Sequence, residues 1–197
     1  MPVGGGASAC VAFVAFQTPG PWHPPRRPQG LPPASKNQHS WPLKKPLLSA
    51  AAAYKPPPAT IAAAAAFFRA LLRVRYSSPL FRMPSAEHVC RQVSFENTGP
   101  DQIPGVIVMR LASTGSPADP GTHDPELACA VIVFNAQPAA ARVPFPAGAG
   151  ALELHPALQE LAAAGDDAVA ACRADGARRE LSVAGRVAAV FVERRPR

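Results

Sequence analysis

The feature that most constrains this chain is the placement of its acidic residues. All thirteen Asp and Glu lie at or after Glu87, while residues 1–86 carry ten Lys or Arg. The first 86 residues thus carry +10. The remainder, ten Arg against thirteen acids, carries −3, for an overall +7. Proline is skewed the same way, with fifteen of 25 in residues 1–86. Runs such as Pro24-Pro25-Arg26-Arg27-Pro28 and Pro56-Pro57-Pro58 lack backbone donors and fix φ, so they cannot continue a helix or a central strand. Residues 1–58 are therefore expected to be an extended, disordered basic tail. The rest is long enough for one domain of ordinary size. Because the basic charge belongs to a tail, the chain lacks the basic folded face of a nucleic-acid-binding domain, and no nucleic-acid partner is expected.

An acid-free, Arg- and Lys-bearing, Ala-rich start fits an organelle transit peptide only in part, because Ser and Thr are sparse and Pro abundant. A misplaced start of the chain is the competing reading. No apolar run approaches the ~18–20 residues of a membrane span; the longest, Ile61 to Phe68, is mostly alanine. Cys10, Cys90, Cys129 and Cys172 form no Cys-x-x-Cys pair and have no His at ligand spacing. They read as buried or half-buried thiols, with no metal and no cofactor implied.

Helix signals begin at Thr60, a plausible N-cap. An Ala run follows, then Phe67, Phe68, Leu71, Leu72 and Val74 at 3–4 spacing, with Arg69 and Arg73 on the other side. Pro79 should end this helix by about Ser77. From Val89 the pattern turns to short β-type runs: Val89–Phe95, Val106–Leu111, Ala128–Asn135, Arg142–Phe145, Leu152–Leu154, Glu180–Val183 and Val187–Val192. The runs over Ala128–Asn135 and Val187–Val192 are apolar on both alternating faces, which predicts central strands. Leu158–Ala164 and Asp167–Arg173 are expected as short helices. Ala112–Glu126, rich in Ser, Gly, Pro and Asp, reads as an exposed loop, with His123 and Asp124 solvated in it. Several short strands with turns between them predict an all-β, antiparallel β-sandwich preceded by one amphipathic helix. Phe95, Phe134, Phe145 and Phe191 fall at positions that look like core. Trp22 and Trp41 sit in the tail, so the sandwich offers no evident aromatic platform for a sugar.

Two stretches carry a resemblance: Arg75-Tyr-Ser-Ser-Pro-Leu-Phe-Arg-Met83 and Phe95-Glu-Asn-Thr-Gly-Pro-Asp-Gln-Ile-Pro-Gly-Val-Ile-Val-Met109. Val131-Ile-Val-Phe-Asn135, Leu152-Glu-Leu-His-Pro156 and Ala188-Ala-Val-Phe-Val192 follow in order. From about Phe67 to Arg194 the chain resembles the C-terminal region of pullulanase-type α-1,6-glucosidases, the plant limit dextrinases that cleave branches in starch.

The resemblance implies a β-sandwich packed behind an α-amylase-type catalytic barrel, with Phe67–Arg75 at the place of the last barrel helix. It assigns Ser77, Ser78, Pro79, Leu80, Phe81 and Arg82 to the interface between the two, with Phe81 as a buried anchor and Arg82 hydrogen-bonded. It implies a chloroplast or plastid setting, which the acid-free start also suggests. No catalytic residue transfers. Glycoside hydrolysis needs two positioned carboxyl groups, and in this family they stand on barrel strands; the family's Tyr-Asn-Trp-Gly-type signature is absent here. The chain is thus expected to be inactive alone, a truncated protein or a partial gene model whose partner is a catalytic barrel, with α-glucan as a further partner. The alternative is a stand-alone starch-associated or protein-binding module.

Overall fold

The computed structural model describes residues 34–47, 56–114 and 123–196. The chain divides between Pro58 and Ala59 into two units. In the first, short turns of helix, α1 (Ala34–Asn37), a 3-10 turn (Gln38–Ser40) and α2 (Trp41–Leu47), stand where extended chain is expected. Side chains close them: Ser40 Oγ donates to the Asn37 carbonyl at 2.8 Å, and Trp41 Nε1 to Asn37 Oδ1 at 2.9 Å. Residues 1–33 and 48–55 of the expected tail lie outside the described residues.

The second unit opens within α3 (Pro58–Ser77), whose first residue stands three before the Ile61 that a Thr60 cap predicts. Proline suits a first helical position, where its missing N–H is an orphan in any case. A 3-10 turn, Pro79–Arg82, leads to α4 (Ala86–Gln92) and β1 (Val93–Phe95). The strand expected over Val89–Phe95 is thus mostly helix. Ser85 Oγ caps it by accepting from the His88 amide at 3.3 Å, and Glu87 pairs with Arg91 one turn on. Cap and ion pair together outweigh the β-branched residue in so short a window.

The strands β2 (Val106–Ala112), β3 (Leu127–Asn135), β4 (Ala141–Pro144), β5 (Glu153–Leu154), β6 (Arg173–Asp175), β7 (Glu180–Val183) and β8 (Val187–Arg194) form two antiparallel sheets. Their orders are β1-β2-β3-β8-β5 and β4-β7-β6. The expected sandwich is present, with β3 and β8 central in the larger sheet as their two-sided apolar pattern predicts. One face of that sheet, through Val131, Val133, Ala189 and Phe191, packs on Val143, Leu181 and Val183 of the smaller sheet. Its other face, through Ala130, Ile132, Val190 and Val192, packs on a layer of helices. That layer is α3, the 3-10 turn, α5 (Pro156–Ala163) and α6 (Asp167–Ala170), contributing Ala70, Val74, Leu80, Leu158 and Val169. The second unit is therefore a sandwich with a third, helical layer, and all-β describes its sheets and not the helices around them.

Two of the expected core phenylalanines, Phe145 and Phe191, are buried. The other two are not: Phe95 is 55% and Phe134 42% exposed. Both lie on the helix-covered face of the larger sheet, at the end the helices do not reach. Strand alternation assigns a face but not the extent of what covers it.

Candidate interface and the cleft around His155

The Ser77–Arg82 connection is short and over-determined. Ser78 is buried in an extended conformation, and its Oγ accepts from the Leu80 amide at 3.1 Å, capping the turn that Pro79 begins. Leu80, 1% exposed, plugs the core between helices and sheet. Phe81, the expected anchor, is only half-buried and meets the His155 ring edge-on, centroids 6.4 Å apart. Arg82 is exposed, and its guanidinium lies 5.3 Å over the Tyr76 ring. The three-residue period of the 3-10 turn points Leu80 into the core of this chain and leaves Phe81 at its edge.

His155 is the residue the sequence reading passed over. It lies in the Leu-Glu-Leu-His-Pro stretch, whose Glu153 and His155 side chains both make structural hydrogen bonds. Glu153 accepts from Arg194 Nε at 2.7 Å. The His155 amide donates to the Val190 carbonyl at 2.8 Å, and its Nδ1 accepts from the Ala157 amide at 3.1 Å, capping α5. Its Nε2 lies 3.0 Å from Ser77 Oγ, which in turn donates to the Val74 carbonyl at 2.8 Å. With Nδ1 an acceptor and the Ser77 proton already committed, the ring is neutral and Nε2–H is the donor. Burial first, then Arg194 and Arg73 nearby, pushes its pKa below the ordinary histidine value. The only signal available in the sequence was His-Pro immediately ahead of an apolar helical run, an N-cap followed by Pro at the first helical position.

Ser77 and His155 open onto a cleft of about 460 Å³ that also involves Arg73, Asp124, Glu126, Glu160 and Arg194. Serine beside histidine invites comparison with a nucleophile–base pair. The geometry denies it: Nε2 carries a proton and cannot take another, and Nδ1 faces a backbone amide where a triad places an orienting carboxylate. The cleft's carboxylates are also engaged. Glu160 pairs with Arg73 at 2.5 Å and Glu126 with Arg194 at 3.9 Å. Asp124 is buried, contrary to the solvated loop position expected for it, and its Oδ1 accepts from the Glu126 and Leu127 amides at 2.8 Å each. Arg195 closes the base of that loop, donating to Asp124 O, Ser113 O and Ser113 Oγ. Among the described residues no group of three metal-ligating side chains occurs, and no helix is long and apolar enough to cross a membrane.

The other residues that stood out in the sequence also hold backbone. Asn97 fixes the turn before β2, accepting from the Ile103 amide at 2.8 Å and donating to the Ile103 and Val106 carbonyls. Asn135, at the end of β3, donates to Ala139, Val183 and Ala184 carbonyls and accepts from the Gln137 amide. Cys129 is buried beside Glu193, and burial followed by that carboxylate pushes its thiol up to about 11.

What the molecule leaves uncovered is apolar. Along α3, Ala70 and Val74 are buried against the sheet. On the opposite side of the same helix lie Ile61, Phe68, Leu72 and Tyr76, exposed by 57, 61, 39 and 67%. On the helix-covered face of the large sheet, Ile107 and Phe134 form an exposed cross-strand pair with Phe95 beside them.

Comparison with known proteins places these features. The family of alpha-1,6-glucosidases, pullulanase-type, C-terminal, matches residues 28–194. The match reaches back well before Phe67, into the stretch that composition assigns to a tail. Pullulanase 1, chloroplastic, of Arabidopsis thaliana is 42% identical over 169 residues, 84% of this chain and 17% of that protein. The crystal structure of ligand-free PulA from Klebsiella pneumoniae matches with a TM-score of 0.66 at 26% identity, over 83% of this chain and 15% of that one. The maltotriose complex of PulA from the same organism gives 0.67 at 26% identity, over 83% and 17%. The chain spans less than a fifth of the length of these relatives.

Proposed function

The chain belongs to the C-terminal domain family of the pullulanase-type alpha-1,6-glucosidases, and we propose that it serves such an enzyme by supporting a catalytic barrel. The single observation that carries this is the two-sided helix α3. A helix apolar on one stripe is covered by one surface, and one apolar on opposite sides is built to lie between two. The sandwich supplies the first surface; the stripe Ile61, Phe68, Leu72, Tyr76 awaits the second. Phe95, Ile107 and Phe134 extend the same requirement onto the sheet. The Ser77–Arg82 connection lies between the two surfaces and fixes α3 relative to the sandwich. The reaction served is hydrolysis of α-1,6 branches in starch, in a plastid, as the chloroplastic relative suggests; the chemistry would reside in the barrel and not in this domain.

The test is complementation. A pullulanase-type barrel produced without its own C-terminal domain is mixed with the full 197-residue chain, and pullulan hydrolysis and binding are measured. Binding accompanied by a gain in barrel stability or activity is expected. Phe68→Ser with Leu72→Ser should abolish it while leaving the circular dichroism of the chain unchanged, since both side chains are exposed. Burying a Phe or Leu is worth about 1.5–3 kcal/mol, so the pair should cost at least tenfold in affinity. Failure to bind the barrel would overturn the reading, as would pullulan hydrolysis by the purified chain alone.

A further inference from the structure

The outer face of the smaller sheet carries an arrangement that neither folding nor barrel docking uses. Arg142 of β4 and Arg173 of β6 are both in register with Ser182 of β7. Cross-strand partners point to the same side, so the three side chains form a row Arg–Ser–Arg. The two arginines stand two strand spacings apart, about 9.5 Å between backbones. With Asp175, Arg178 and Glu180 they line a shallow concavity of about 290 Å³. Its charge is three cations against two anions, in a half of the chain that is net acidic. Arg178 is satisfied by Asp175 at 3.7 Å. Asp175 is further committed to its own turn, its Oδ1 accepting from the Ala177 and Arg178 amides at 3.0 Å each. Among the described residues neither Arg142 nor Arg173 has a carboxylate partner. Asp175 and Glu180 oppose each other across β6 and β7, so the carboxylates stand at one end of the row and leave the two guanidinium groups free to close on an anion set between them.

The geometry points to a site for a phosphorylated sugar on this face, the phosphate monoester held between Arg142 and Arg173 over the Ser182 hydroxyl. Arginine's planar fork matches phosphate oxygens two at a time, and the serine offers a further donor. The sugar is inferred from Glu180. It lies two residues from Ser182 on the same strand and face, about 6.8 Å away, and makes no ion pair among the described residues. A carboxylate there repels a second anionic group but accepts hydrogen bonds from hydroxyls. The inner face of this sheet packs into the sandwich core and the helical layer covers the far side of the other sheet. The site therefore lies on the opposite face of the sandwich from the helical layer that carries the proposed docking stripe of α3.

The experiment is a titration of the full, isotope-labelled chain, followed by amide chemical shifts at low salt, with inorganic phosphate, glucose and glucose 6-phosphate as probes. Shifts are expected at β4, β6 and β7 with glucose 6-phosphate, several-fold weaker binding of phosphate, and none of glucose at equal concentration. Arg142→Gln with Arg173→Gln should weaken glucose 6-phosphate at least tenfold. Glu180→Gln should erase its advantage over phosphate, and Arg91→Gln, a distant exposed control on α4, should change nothing. The phosphorylated-sugar site is overturned if phosphate and glucose 6-phosphate bind equally, if neither shifts this face, or if the double variant binds as well as the parent. Arg142, Arg173 and Glu180 are exposed or half-exposed on the sheet's outer face, and unchanged shifts of core amides in the variants would confirm that the fold is intact.

Discussion

Asn135 offers the sharpest test of the claim that the chain's signature residues hold backbone. Its side chain is 2% exposed and lies where β3 leaves the large sheet. Nδ2 faces three carbonyls, Ala139 at 2.9 Å, Ala184 at 3.0 Å and Val183 at 3.2 Å, and Oδ1 accepts from the Gln137 amide at 3.0 Å. Two N–H groups cannot fully serve three acceptors, so the side chain counts as about three hydrogen bonds, worth about 1 kcal/mol each. Asn135→Ala should therefore lose about 3 kcal/mol, a large part of a domain's usual ~5–15. Asn135→Asp is more telling. A carboxylate has the same shape but no donor, and its charge would face three carbonyl oxygens. Its folded pKa must rise above the ordinary aspartate value. The charge-dependent part of its penalty is thus absent below the unfolded pKa of ~3.9, grows as pH rises through the folded pKa, and is full above it. Urea unfolding of parent and both variants at pH 4 and pH 8 reads this directly. Asn135→Asp should be the less stable of the two variants at pH 8 and should recover relative to the parent at pH 4, while the Asn135→Ala deficit stays constant. An Asn135→Asp protein as stable as the parent at pH 8, or an Asn135→Ala loss under about 0.5 kcal/mol, the usual scatter of surface substitutions, would refute the reasoning.

Three further outcomes are expected. Because His155 has its pKa lowered by burial and then by Arg194 and Arg73, its contribution is fully present above pH ~6.5 and is lost as pH falls toward the lowered folded value; His155→Asn, which keeps a capping oxygen without the titration, should flatten that part of the stability–pH curve. Leu80→Ala should cost about 2–5 kcal/mol by chemical denaturation and Phe81→Ala clearly less, since Leu80 and not Phe81 fills the core. A Cβ at Gly185 would fall on the Pro138 carbonyl, so Gly185→Ala should cost about 1–3 kcal/mol, whereas Gly176→Ala, with open space around it, should stay near the parent in melting temperature.

The parts of the fold that were legible are those with a period. β3 and β8 announce themselves because Ala130–Ile132 and Val131–Val133 are apolar on both faces, and only a strand covered twice tolerates that. α3 ends at Ser77 because Ser78 precedes a proline. β6 went unassigned, apart from Arg173 at the end of an expected helix, because three residues, Arg173–Asp175, are too few to show alternation. Asp124 was misjudged because its burial depends on Arg195, 71 residues away, and loop composition carries no trace of such a partner. The proposed interface residues were assigned only through resemblance. Which of Leu80 and Phe81 turns inward is decided by the 3-10 turn, and His155 couples to Ser77 across 78 residues.

These long-range couplings bear on the proposed support of a barrel. A C-terminal domain tethered through a flexible connector would add little to a barrel beyond local concentration. Here the connector is core. Val74, Leu80, Leu158 and Val169, from α3, the 3-10 turn, α5 and α6, share one buried cluster with Ile132 and Val190 of the large sheet. Around it, Arg73 of α3 pairs with Glu160 of α5, and Ser77 meets His155 at the α5 cap. The helical layer is thus stitched together from both ends of the chain segment, α3 before the first strand and α5 and α6 after the fifth. An exposed ion pair such as Arg73–Glu160 contributes at most ~1 kcal/mol, so the rigidity comes from the shared cluster. The polar contacts set its register. A surface docked on Phe68 and Leu72 therefore presses on a helix that cannot move without opening the core beneath it. Load on the outer stripe passes straight to the central strands β3 and β8, which suits the domain to act as a buttress more than as a tether.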